Sequence, residues 1–452
     1  MVTWTRETAT RFFQKAGFGP AAGDVDRAMA EGAEATIQRL LNDDRLPTTE
    51  LDARLANYHF DFTTVDGMNY DLFVSLQRWW YLRMLYSPRQ LEEKLTLFWH
   101  MHFATSYEKV DLAPLLYAQN NIFRRLGRGL FGDLLLEVSK DPAMLIWLDN
   151  DTNVREHPNE NFAREVMELF TLGIGHYSQR DVTEAARAFT GWTYNPDTYA
   201  FYFDAASHDD GAKTVLGTAG RLGGADVVAL LAARSETAEF LTSKLARFFI
   251  GLPPSQALIA TLRNAYLSSA GSIRMMLDAL FHSDDFLLSL TAPRQVKTPT
   301  ELMIGALRAL DVQTDAALIP DYGYLAGQAV YLPPNVAGWK GGLRWINTGS
   351  YLVRMNFAND VASSRSGDAD APLPWDPARF FTGATIRSAE DLVDTTADRL
   401  GVPRPANAPR QALLSFVASA TAAPFRWSVE TADRAGRGLV HLLLASPAAQ
   451  LQ

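Results

Sequence analysis

The chain has 452 residues, with 42 Lys and Arg against 51 Asp and Glu, giving a formal net charge of −9. Hydrophobic residues make up 47% and charged residues 21%, which excludes a disordered or collagen-like chain, and the acidic balance argues against a general nucleic-acid binder. The absence of cysteine removes disulfides, thiolate nucleophiles, zinc–thiolate sites and iron–sulfur clusters.

Near the start, Ala9, Phe12, Phe13, Ala16 and Phe18 follow helical spacing, stopped by Gly17, Gly19 and Pro20. Leu72, Leu76, Trp79, Trp80, Leu82, Met84 and Leu85 predict a long apolar helix, Pro88 a break, and Leu91, Leu95, Phe98 and Trp99 a second helix. Ser178-Gln179-Arg180-Asp181 reads as a capped start leading into Val182–Phe189. Trp192–Tyr194 and Tyr199–Phe203 flank the turn-former Asn195-Pro196-Asp197 and predict a hairpin. Ser235–Phe249 reads as a helix closed by Gly251, and Thr298-Pro299-Thr300-Glu301 as a capping box ahead of Leu302–Leu310. Tyr331–Trp345 is an aromatic-rich loop or extended stretch, and Asp368–Pro377 and Pro403–Pro409 read as surface loops. From about Asp376 the tail is expected to be helical and to dock through Leu413, Leu414, Phe416, Leu439, Leu442 and Leu443.

The fold class is therefore mostly α: a compact multi-helix body with one or two small β-hairpins. Residues 1–452 are expected to form one domain, with a subdivision near 230 between a motif-rich half (1–230) and a helical half (231–452). No run approaches the ~18 apolar residues of a membrane span, and the first twenty residues lack an apolar segment of signal-peptide length. The expectation is a soluble protein, cytoplasmic as written, or exported if a targeting segment was removed.

Three polar groups could carry chemistry. His100 and His102 suggest a metal pair, yet on a helix they point about 200° apart, so buried core histidines bonded to carbonyls are an equal reading. Glu93 lies on the His100 face. In the second group, Asn159 reads as an N-cap, Glu160, Arg164 and Glu168 as a four-residue ladder, and Asn161, Glu165 and Glu168 as a polar line nearer the core. Arg164 is expected to be a structural clamp between Glu160 and Glu168. The third is His208-Asp209-Asp210-Gly211 on a loop, a titrating group beside turn chemistry. No phosphate-binding loop, H-E-x-x-H or G-x-S-x-G motif occurs.

Read together, AGFGP at 16–20, EKLTLFWHMHFATS at 93–106, PNENFAREVMELFTLGIG at 158–175 and YSQRDVTEAARAFTGWT at 177–193 resemble one family, the bacterial domain of unknown function 1800. HDDGAKTVLG at 208–217, KLARFF at 244–249, VKTPTELMIGALRAL at 296–310, PPNVAGWKGGLRWINT at 333–348 and RMNF at 354–357 extend the resemblance along the chain. The sequence departs from the family pattern at Met101, usually Asn, and at Arg234-Ser235, often His-Pro. The family brings no established activity. The resemblance implies a sulfatase-like partner protein and frequent export, and it favours one pocket joining His100, Glu165, Glu168 and His208.

Two functions follow as expectations. One is a His/carboxylate hydrolase or lyase around a divalent metal, with Glu165, Glu168 and His208 catalytic and His100, His102 and Glu168 as ligands. Trp99, Trp192, Trp339 and Trp345 would then suit flat-faced substrates such as sugars. The other is a non-catalytic scaffold or assembly partner of a second enzyme, its polar clusters fixing helix packing. His100 separates them: the composite pocket requires it within direct or one-water reach of Glu165, Glu168 or His208.

Overall fold

Pro88 splits what would otherwise be one long apolar helix. The computed structural model describes residues 2–60, 69–365, 371, 373–421 and 423–452, and places helices at Asn69–Tyr86 and Gln90–His102 on either side of it. Proline disfavours helical geometry in the residue before it and cannot donate to the preceding turn, so the chain bends there. Every residue of Gln90–His102 except Met101 is buried. A helix with no solvent face runs through an interior. Here Leu91, Leu95, Phe98 and Trp99 join one apolar cluster and Leu97 joins a second.

The first cluster is built from residues between Ala9 and Leu41 and between Leu91 and Leu290. The second takes residues from Phe18 to Leu85, Val110 to Leu116, and Met303 to Ala449. The chain thus passes between them more than once. Its first helix, Arg6–Ala16, is held by distant partners: Arg11 Nη1 donates to Leu290 O (2.8 Å), Lys15 Nζ to Ile250 O (3.1 Å) and Gln14 Nε2 to Gly401 O (2.9 Å).

The structure is mostly α, 61% helical. Local chemistry sets the helix ends where the sequence placed them. Thr298 and Glu301 close a capping box at Pro299–Ala309, and Ser178 and Asp181 another at Gln179–Ala188. Ser235–Ile250 ends at Gly251 in the left-handed region, φ 80°. Among the described residues there are two small antiparallel sheets. In the first, β1 (Trp192–Tyr194) pairs with β2 (Phe201–Phe203), and Asn195 Oδ1 takes the Asp197 and Thr198 amides at the turn. The second, β3 (Lys213–Val215) with β4 (Thr218–Gly220), turns through Leu216 and Gly217, both at positive φ, as a two-residue hairpin requires. No helix among the described residues is long and apolar enough to cross a membrane.

The tail forms helices at Ala389–Leu400, Asn407–Ala420 and Arg437–Leu444, so helix already begins inside the span read as a loop at Pro403–Pro409. Leu413, Leu439 and Leu443 are buried, and Leu414 and Phe416 pack against the second cluster. Leu442 departs from expectation and is exposed, because Leu439, Val440, Leu443 and Leu444 already fill the inward face of its helix. Within Asp368–Pro377, residues 368–370 and 372 lie outside the described residues. Leu373 and Trp375 are buried, with Trp375 Nε1 donating to Val361 O (2.9 Å), so this part is anchored rather than a free surface loop.

His282 ties two surface helices together. Its Nδ1 donates to Asp278 O (2.7 Å), its Nε2 meets Glu34 Oε2 (2.9 Å), and Asp278 Oδ1 lies 3.4 Å away. Partial burial works against the charged imidazole, but the Asp278 carbonyl and the Glu34 carboxylate outweigh it and raise its pKa. A raised folded pKa gives stability fully present below the unfolded value of about 6.5 and lost as pH rises through the folded value. The pair is solvent-screened, so the effect should stay below ~1 kcal/mol. Thermal midpoints of the wild type and His282→Asn should converge as pH is raised from about 6 to 8; a gap that widens would reverse the assignment.

Candidate functional site

His100 sits one turn from the end of its helix with its ring against Trp80, Tyr331 and Trp339, at centroid distances of 5.1, 5.3 and 5.6 Å. Its Nε2 accepts the Tyr331 amide (3.0 Å), so the proton of the neutral ring is on Nδ1. Burial holds its pKa down to about 3, so it is uncharged at neutral pH. Tyr331 has φ 65°, a left-handed conformation unusual for a bulky residue. The histidine thus satisfies the amide of a strained residue at the start of the aromatic-rich loop. Among the described residues it makes no direct hydrogen bond with Glu165, Glu168 or His208; its Nε2 is spent on the Tyr331 amide instead.

The same loop is pinned at several further points. Gly338, at φ 71°, comes so close to Met101 O that an added Cβ would lie 2.6 Å from it. Trp345 is buried and its carbonyl accepts Ser350 Oγ (2.9 Å). Between these anchors Leu343 is 81% exposed, flanked by the exposed Lys340 and Arg344.

His102 faces a different environment, as the ~200° rotation requires. Its ring is packed among Phe98, Trp99, Phe103, Phe131, Phe170 and Phe240. Nε2 bonds Phe170 O (3.1 Å), while the buried Nδ1 has no partner among the described residues. Burial first, and then the charge of Lys244, push its pKa well below the usual value. Lys244 lies over the Phe240 ring (5.2 Å), and burial lowers its own pKa to about 8.

Glu93 is fully buried and belongs to an ion cluster. Arg83 Nε donates to Oε1 (2.8 Å), and Arg124 donates through Nε to Oε1 (2.9 Å) and Nη2 to Oε2 (3.0 Å). Both guanidinium groups lie over Trp79, at 5.3 and 5.2 Å. Burial alone would raise the Glu93 pKa, but Arg124 and Arg83 reverse this and bring it to about 2. Its carboxylate is thus taken up by the two arginines and not by His100.

The carboxylate helix, Glu160–Glu168, caps as expected: Asn159 Oδ1 accepts the Asn161 amide (2.9 Å). Arg164 Nη2 donates to Glu160 Oε2 (3.0 Å), but its second acceptor is Gln179 Oε1 (2.9 Å) and not Glu168. Glu168 instead accepts from the Tyr177 hydroxyl. Half-burial, and then the adjacent Glu168, raise the Glu165 pKa. Because the Arg164 bonds are half-exposed, Arg164→Leu should cost no more than ~1 kcal/mol in a denaturant titration. A loss several times larger would mean that Arg164 carries more than this ladder.

His208 is elsewhere again. Its Nδ1 meets Thr190 O (2.8 Å) and Oγ1 (3.2 Å), its ring lies 5.2 Å from Phe203, and neighbouring Asp209 is held by Arg187. The residues expected to share one pocket therefore make their bonds at separate places. Among the described residues no group of three His, Asp or Glu is arranged to hold a metal ion. For the ligand set His100, His102 and Glu168 the reason is geometric: the two imidazoles point to opposite sides of an unbroken helix, and Glu168 is engaged with Tyr177.

Residues from distant segments meet near the end of the helix of His100 and His102: Phe170 and Phe240 against the His102 ring, Tyr331 and Trp339 against the His100 ring. A family model described as protein of unknown function (DUF1800) matches residues 11–451. The chain belongs to DUF1800. No curated protein and no solved structure matches it.

In this DUF1800 protein the sequence reading missed the buried cations. Lys94, fully buried, pairs with Glu301 and also donates to Gln14 O (3.3 Å). Lys15 caps the carbonyl end of Ser235–Ile250 and bonds Gln295 Oε1 (3.0 Å), and Lys297 donates to Ala449 O (3.0 Å). Arg354 donates to Gln450 Oε1 (3.1 Å) and Lys297 O (3.0 Å), with Nε unpartnered among the described residues. One signal was available: a helix apolar all round must pair any charge it carries inside, and Glu92, Glu93 and Lys94 lie in such a helix.

Proposed function

We propose that this chain acts as a non-catalytic assembly protein, its motif residues holding the 331–345 loop in a fixed shape for a partner. The observation that supports this reading is His100, which is committed to the Tyr331 amide inside an aromatic shell. The loop so fixed carries Leu343 outward between Lys340 and Arg344 on a base that packing holds rigid. A rigid exposed apolar residue flanked by cations is suited to a partner surface with an apolar pocket and an acidic rim. The sulfatase-like protein implied by the family resemblance is the partner we infer. The whole chain, residues 1–452, is taken to fold as one unit for this purpose.

The test is size-exclusion chromatography of the purified chain mixed with a sulfatase-like protein of the same organism. Co-elution is expected, and Leu343→Asp should abolish it without changing the thermal midpoint. A complex indifferent to Leu343→Asp, or no complex at all, refutes the proposal.

A second reading, as a lyase, draws on Lys244. A partly buried amine against Phe240, with no carboxylate partner among the described residues and with its charge bearing on His102, has the character of a carbonyl-capturing lysine. Addition to an aldehyde and loss of water would give an imine. Glyoxylate with borohydride should then label Lys244 ahead of Lys109 and Lys140, and equal labelling of all three would exclude this reading.

A further inference from the structure

Ile174 is 80% exposed, and with Leu343 it is one of the two most exposed large hydrophobic side chains among the described residues. It lies between Gly173 and Gly175, at φ 79° and 92°, in the turn that joins Glu160–Glu168 to Gln179–Ala188. Gly173 runs against Phe240, whose Cδ2 would lie 3.0 Å from an added Cβ. Ahead of it Thr171 and Leu172 are buried, with Thr171 Oγ1 donating to Val166 O (2.6 Å) and the Leu172 amide to Met167 O (2.8 Å). Beyond it the Tyr177 hydroxyl donates to Glu168 and closes the loop. The backbone is thus pinned on both sides of an isoleucine that stays in solvent.

The Ile174 and Leu343 loops share one support, the last turn of Gln90–His102. His102 bonds Phe170 O (3.1 Å), next to Thr171, and its ring meets Phe240. His100 accepts the Tyr331 amide, and its ring meets Trp339. A helix with its side chains is only about 10–12 Å across, so the two loops are braced on a common strut. Apolar side chains held rigid in water lose little further freedom on docking, which favours them as interface anchors. Their surroundings differ in charge. Exposed Lys340 and Arg344 flank Leu343, whereas half-buried Glu165 and Glu168 precede the Ile174 loop and exposed His176 follows it.

We propose that Ile174 is the second anchor of the partner surface, so that one partner takes Leu343 in a pocket with an acidic rim and Ile174 in a pocket with a basic rim. Two rims of opposite sign fix the orientation in which that partner docks. This inference rests on the assembly reading of the Leu343 loop.

The test titrates the sulfatase-like protein of the same organism into the full chain, Ile174→Asp and Leu343→Asp by calorimetry. Ile174→Asp should weaken the complex about tenfold or more, as loss of an interface anchor does, with an unchanged thermal midpoint. A complex lost in Leu343→Asp but undiminished in Ile174→Asp would overturn this inference and leave the assembly reading standing. Absence of any wild-type complex would overturn both. Should Ile174→Asp fail to fold, a label decides: the chain has no cysteine, so Ile174→Cys can carry a single polarity-sensitive dye. Its emission should shift to the blue as the complex forms, and an emission unchanged by a complex that does form refutes the second anchor.

Discussion

Glu301→Ala should destabilise the full chain by about 3–5 kcal/mol, a large share of a total stability of about 5–15 kcal/mol. Glu301 is the ion-pair partner of Lys94, and neither side chain reaches solvent to any useful extent. Removing it leaves the ammonium of Lys94 with the Gln14 carbonyl and the faces of Phe18 and Phe248. It also strips the Thr298 amide of its acceptor at the start of Pro299–Ala309, a capping loss of about 1 kcal/mol. Glu301→Gln keeps an acceptor for that amide but removes the charge, so it should fall between the wild type and Glu301→Ala. Urea midpoints order the three chains. If Glu301→Ala stayed within 1 kcal/mol of wild type (about the size of one cap), the buried pair would not be holding these segments together.

Glu93→Ala is expected to cost a similar amount, about 3–5 kcal/mol, for a related reason: two guanidinium groups would remain desolvated around the space of one lost carboxylate. The cluster also predicts an acid limb. Glu93 has a folded pKa lowered to about 2, from about 4.3 in an unfolded chain. Its contribution is therefore present above the unfolded value and is lost as pH falls through the folded one. Wild-type stability should decline steeply over that interval, and the decline should be shallower in Glu93→Ala. A more searching comparison replaces all three ions. The variant with Glu93→Met, Arg83→Met and Arg124→Met together should be more stable than Glu93→Ala, because no unpaired charge is left behind. Were the triple variant the weaker one, the Arg side chains would owe their place to packing on Trp79 rather than to Glu93.

The fold was legible in the sequence wherever a local cause sets it. Pro88, the Thr298–Glu301 box, the Ser178–Asp181 box and Gly251 each act over a few residues, and the structure has its helix ends there. The β3–β4 hairpin escaped because its turn, Leu216-Gly217, offers one glycine and a leucine in a left-handed conformation, a weak signal in sequence. The site was less legible because its relations are not local. Helical rotation correctly separated His100 from His102 and placed Glu93 on the His100 side. Nothing within 93–106 could indicate that the partner of His100 is a backbone amide more than two hundred residues away. Arg164 shows the same limit on a smaller scale: spacing supplies Glu160 and Glu168 equally, and tertiary structure substitutes Gln179 for the second.

The attachments of the Arg6–Ala16 helix impose an order of events on a chain made from its N-terminus. Gln14 lies 387 residues before its acceptor Gly401, so at about 5–20 residues per second the ribosome needs on the order of tens of seconds to deliver that partner. Lys15 waits for the carbonyls of Phe249 and Ile250, Phe12 and Phe13 for a cluster that ends at Leu290, and Phe18 for one that reaches Ala449. The nascent chain therefore presents an apolar, cationic segment until those partners have been made. That is the kind of segment holding chaperones shelter, and release of a product truncated before residue 249 would leave it exposed for good.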